Sequence, residues 1–127
     1  MTINFTILQS LMTGLNDLAS KELPFKLSLM VAKNLSLLEK EQEFYIEQER
    51  EFAFKYLVIE DGQFVQEREN VFKIKEGLEK ECQEARETLN KFETEVELRK
   101  LPASLLENME FSPKTLMALE SIIDEEA

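Results

Sequence analysis

The chain has 127 residues, 43% of them hydrophobic and nine of them Phe, which suits one domain with a real core and is too short for two independent ones. Its 26 Asp and Glu against 15 Lys and Arg leave a net charge of −11, which argues against direct binding to nucleic-acid phosphates and favours a basic partner. The single cysteine, Cys82, excludes an intrachain disulfide framework, and the lack of histidine removes Ser–His pairs, imidazole acid–base chemistry and Glu-x-x-His iron sites.

The first predicted element is an amphipathic base helix within residues 1–23, with Phe5, Leu8, Leu11, Leu15 and Leu18 on one stripe and its end near Ser20. Asn4 is a candidate cap, and Thr6 with Gln9 is the alternative, as a capping box. Gly14 lies inside the stripe, where it lowers helix propensity by about 1 kcal/mol relative to Ala and marks a point of close approach to a neighbour. Pro24 biases Leu23 out of the helical region and suits the first turn of the next helix.

Residues 24–56 read as one long helix with no glycine or proline inside it. Val31, Leu38, Tyr45, Phe52 and Ile59 recur every seven residues, with Leu35 and Tyr56 at the offset that completes an a/d seam. Gln42 and Glu49 are polar seam positions of the kind that fix register and partner. Asp61-Gly62 signals a turn, and the apolar pairs around it make residues 60–74 a small β-like tip, with a helix starting near Asn70 as the competing reading.

Val71, Leu78, Ala85 and Phe92 form a second sevenfold series, with Cys82, Leu89 and Val96 at the complementary positions. Two such segments of nearly equal length, each with one apolar stripe, are expected to fold back on each other. After a turn at Leu101-Pro102 and a short helical turn through Leu105 and Leu106, Ser112-Pro113 caps a last helix whose buried side is Leu116, Leu119, Ile122 and Ile123. Asp124 to Glu126 then read as a frayed acidic tail. The expected fold class is mainly all-α, as a single domain over residues 1–127. It is an antiparallel long-helix hairpin, coiled-coil-like, over residues 24–98, with a small β-like tip and short packing helices at its base.

Leu23-Pro24-Phe25-Lys26 opens a long acidic helix, Lys55-Tyr56 ends it, and Asp61-Gly62 precedes Phe64-Val65. With Phe111-Ser112-Pro113, Leu116 and Leu119, this pattern resembles a family of small acidic helical proteins from phages and prophages of Gram-positive bacteria, without an established general function. The resemblance covers most of the chain and implies a non-enzymatic protein inside the bacterial host cell.

No catalytic residue, cofactor or metal site is expected from the residues. Cys82 lies on the second seam and reads as a buried small hydrophobe. Glu43, Glu47 and Glu51 stack at i, i+4 spacing with no Lys or Arg inside the column, and either dock a basic protein groove or form a solvated face. Phe64, Val65 and Phe72 at the tip either pack on the chain's own helices or offer an apolar contact. These six residues are the candidate partner-binding set. They suit a cytoplasmic interaction protein that inhibits or redirects a basic, nucleic-acid-handling or defence protein of the host, with no direct contact to nucleic acid or membrane. A self-associating assembly component is the alternative.

Overall fold

In chain order the elements of the computed structural model are β1 (Thr2–Ile3), α1 (Phe5–Ala19), α2 (Phe25–Tyr56), β2 (Ile59–Glu60), β3 (Gln63–Phe64), β4 (Gln66–Arg68) and β5 (Val71–Phe72). They continue with α3 (Glu79–Lys91), β6 (Thr94–Glu95), β7 (Leu101–Pro102), α4 (Pro113–Leu119) and β8 (Ile123–Asp124). The structure describes residues 1–126, so Ala127, which the sequence reading takes into the C-terminal segment, lies outside the described residues. Helix predominates and the strands are two or three residues long. The chain forms two compact units, one from residues 1–42 and 93–126, the other from Glu43–Phe92.

In the first unit, α1 starts where the Asn4 side chain accepts the Ile7 N–H at 2.8 Å, which satisfies one of the orphan donors of the first turn. Its stripe buries Leu8, Leu11, Leu15 and Leu18 almost completely. Gly14 faces α4, and a methyl group there would fall 2.8 Å from Leu119 Cδ2, so only a hydrogen lets the two helices come this close. Ser112 caps α4 by accepting the Thr115 N–H, and Pro113 occupies the first turn.

The inward side of α4 differs from the expected one. Thr115 and Leu119 are buried, and Leu116 is 41% exposed. From the Ser112 cap, Thr115 and Leu119 fall one turn apart on the side facing α1, and Leu116 is rotated by about 100° from Thr115. The Thr115 hydroxyl donates to Asp17 Oδ2 at 2.9 Å, which ties the cap to α1 and makes a threonine acceptable in a buried position.

Two small ladders complete this unit. β1 and β6 pair antiparallel, with Ile3 opposite Thr94, and β7 and β8 pair parallel, with Leu101 opposite Ile123. Asp124 therefore belongs to a strand instead of a frayed tail, and its carboxylate accepts the Glu126 N–H at 3.1 Å.

The first part of α2 buries Leu27, Val31, Asn34 and Leu38, so the stripe runs through Asn34, while Leu35 is half-buried. Asn34 is fully buried and its amide reads the backbone of Arg99 from both sides. Nδ2 donates to the Arg99 carbonyl at 3.0 Å, and Oδ1 accepts the Arg99 N–H at 2.8 Å. An amide carries one donor and one acceptor face in the same plane, as a strand neighbour would, so this side chain gives an irregular segment the pairing that a ladder would otherwise supply.

In the second unit the rest of α2 buries Tyr45 and Tyr56. The expectation of two rods of similar length fails here, because α3 has 13 residues against 32 in α2. Val71 sits in β5 and Val96 follows β6, so the second sevenfold series spans strand, turn, helix and coil. Backbone conformation explains the difference. Asp61 and Gly62 both have positive φ, the requirement of a tight hairpin turn, and join β2 to β3 with Ile59 opposite Phe64. Asn70, at φ 62, turns β4 into β5, a position that asparagine tolerates better than most residues. The competing helix start at Asn70 does not form. Instead Val58 N–H donates to the Lys73 carbonyl at 2.9 Å, and Lys73 N–H to the Val65 carbonyl at 2.7 Å.

Asn34→Ala would remove the side-chain partner of both Arg99 backbone groups, whose hydrogen bonds are part-buried, at a cost of about 1–2 kcal/mol. Chemical denaturation should show this as a lower midpoint with an unchanged slope, whereas Leu35→Ala, at the half-buried neighbour, should cost less.

Candidate functional site

The second unit carries a groove of about 650 Å³ lined by the last turns of α2, Phe64 of β3, β5 and α3. Phe64 and Phe72 contact each other edge to face at 6.2 Å, and Phe64 also stacks on Phe54 of α2 at 5.6 Å. Phe64 therefore packs on the chain's own helix, while Phe72 remains 43% exposed. Val65 is half-buried and holds the segment through its backbone, with its N–H donating to the Val58 carbonyl at 3.0 Å.

The opposite wall is built around Arg86 of α3. Its guanidinium forks onto both carboxylate oxygens of Glu49, at 2.9 and 2.8 Å, and lies 4.2 Å over the Phe52 ring. A planar, five-donor group can fork onto a carboxylate while stacking flat on an aromatic face, a geometry the ammonium of a lysine does not have. This explains the polar seam position: Glu49 interrupts the apolar series because a cation from α3 occupies the space in front of it. Further along, Phe92 contacts Phe44 and Tyr45 at 5.4 and 5.8 Å. Rising numbers on α2, from Tyr45 to Glu49, thus meet falling numbers on α3 and its cap, from Phe92 to Arg86.

Cys82 lies under this groove and is buried. Burial pushes its thiol above the ordinary value, and the charge of Arg86 opposes that only in part. The thiol is held protonated, which disfavours it as a nucleophile. Among the described residues no group of three or more His, Cys, Asp or Glu side chains is placed to hold a metal ion.

The acidic column is not the uncompensated row that its spacing suggests. Glu43 is exposed, Glu47 pairs with Arg50 one turn on at 3.1 Å, and Glu51 lines a smaller groove of about 380 Å³ together with Phe52, Lys55 and Phe92. The structure therefore brings Phe64 and Phe72 together on one groove and sets Glu51 beside another, with Phe52 contributing to both. Sequence reading missed Arg86 and Phe54. The signal for Arg86 was Glu49 itself, a carboxylate on an apolar seam that needed a cationic partner.

Arg86→Lys keeps the charge but loses the fork and the stacking, so it should lower stability by about 1 kcal/mol, close to the effect of Arg86→Ala. A thermal melt of both variants measures this. The raised thiol value makes Cys82 slow to react with iodoacetamide at pH 8, with labelling accelerating once urea unfolds the chain. Since the unfolded chain gives up this proton first, stability should decline as pH climbs past the ordinary thiol value of about 8.5. A Cys82→Ala variant should lack that part of the decline. No family model, no curated protein and no solved structure matches this chain.

Proposed function

We propose that this chain is a phage-type, non-enzymatic protein of the bacterial cytoplasm that binds a host protein and inhibits or redirects it. The observation that carries this reading is the groove of the second unit, where apolar rings lie within a strongly acidic chain. Phe72 and Val71 offer apolar surface on the rim, and exposed Glu43, Glu47 and Glu51 stand on the same helix that forms one wall. Such a combination suits a basic protein surface with an apolar anchor, for example a nucleic-acid-handling or defence component. The anchor would supply affinity, and the carboxylates would speed encounter and select the partner.

A second reading, self-association, draws support from apolar side chains left on α2, with Phe25 82% and Ile46 53% exposed. Light scattering after size exclusion separates the two. A monomer at high concentration supports the inhibitor reading, and a defined oligomer supports assembly.

Affinity capture from a Gram-positive host lysate, followed by titration of the purified partner, tests the main reading. Raising salt from about 0.05 to about 0.5 M should weaken binding by about tenfold. Joint change of Glu43, Glu47 and Glu51 to Gln should reduce that salt dependence, and Phe72→Ser should weaken binding at every salt concentration. Affinity indifferent to salt and to Phe72 would reject this use of the surface.

A further inference from the structure

We propose that a separate groove in the first unit, beside α4, is a docking site for a basic amphipathic helix of another protein. The groove has a volume of about 580 Å³ and is walled by Met109, Phe111, Leu116 and Met117. Leu116 and Met117 are 41% and 74% exposed, although both stand on a helix whose other face is fully buried. Glu107, Glu120 and Glu125 also line it, with no Lys or Arg among its lining residues. None of the three carboxylates forms a salt bridge among the described residues. The Lys21 ammonium lies over the Phe111 ring, 5.9 Å from its centroid.

Met117 and Glu120 also line a neighbouring groove of about 310 Å³ with Ile7 and Leu11 of α1, so the apolar strip continues past α4. A strip of this kind suits an incoming helix with apolar anchors at i, i+3 or i+4, and i+7. Methionine is flexible and polarizable, so Met109 and Met117 can adapt to anchors of different shape.

Charge decides which occupant fits. A helix with Lys or Arg flanking its apolar face would neutralise three unpaired carboxylates, whereas a second copy of this chain would bring a net charge of −11 against them. An anionic lipid surface is disfavoured for the same reason.

The test uses the full-length protein and a fluorescently labelled Leu/Lys peptide with leucines at helical spacing. Two controls accompany it, a scrambled peptide of the same composition and one with every Lys replaced by Glu. Anisotropy should show the patterned basic peptide binding at least about tenfold more tightly than either control. Met117→Asp and the joint change of Glu107, Glu120 and Glu125 to Gln should each weaken it by about fivefold or more. Both alter exposed side chains, and the second keeps the test decisive if the first disturbs α4. Phe72→Ser, which acts on the groove of the second unit, should leave this affinity unchanged. The proposal is overturned by equal binding of the scrambled peptide, by indifference to the groove variants, or by loss of binding in Phe72→Ser. It is equally overturned if light scattering finds a dimer that Met117→Asp dissolves, because the occupant would then be a second copy. Since the two grooves have separate variants, failure here leaves the reading of the second unit standing.

Discussion

A single uninterrupted helix, α2, contributes to both compact units, and within each unit the apolar residues of its own part of that helix need cover. In the first unit the stripe passes through Leu27, Val31, Asn34 and Leu38, and in the second through Tyr45 and Tyr56. Within each unit helical periodicity gathers such residues on one face, but it does not specify what covers them. Each unit meets the requirement with different chemistry.

Two polar residues of α2, one in each unit, show how. Asn34 is satisfied by the backbone of Arg99, 65 residues away, and Glu49 by the guanidinium of Arg86, 37 residues away. Apolar contacts tolerate sliding, whereas a paired amide or a forked ion pair has one geometry. These interactions therefore define which part of the later chain lies against α2. The Arg86 pair is about one-third exposed, so its contribution to stability is modest and its geometric role is the larger one.

The same economy leaves apolar surface uncovered in both units. α4 is seven residues long and has a single inward face, occupied by Thr115 and Leu119. Leu116 and Met117 are left outside by rotation alone. In the second unit, Phe64 reaches Phe54 for cover, but the small ladders that carry Phe72 have too little backing to bury it. Exposed rings and thioethers in a chain of this acidity pair two recognition elements, an apolar anchor and a long-range field, that together select basic amphipathic surfaces.

Local features were legible from the residues. The amphipathic first helix, the Ser112 cap, the unbroken helix up to Tyr56 and the Asp61-Gly62 turn each follow from chemistry within a few residues. What eluded the sequence depended on partners far along the chain. A seven-residue spacing does not distinguish a rod from strand, turn and short helix in succession, so α3 came out shorter than its pattern suggested. Whether Leu35 or Asn34, and Leu116 or Thr115, turns inward depended on partners at Arg99 and Asp17, because a buried polar side chain is tolerable only where tertiary structure supplies its hydrogen bonds. The candidate surfaces divide in the same way. Residue type identified Phe64, Phe72 and the glutamates, and helical spacing already sets Arg50 beside Glu47, but only folding decided that Arg86 would wall a groove and that Met117 would stand outside, since each outcome depends on the direction in which a side chain meets its neighbours.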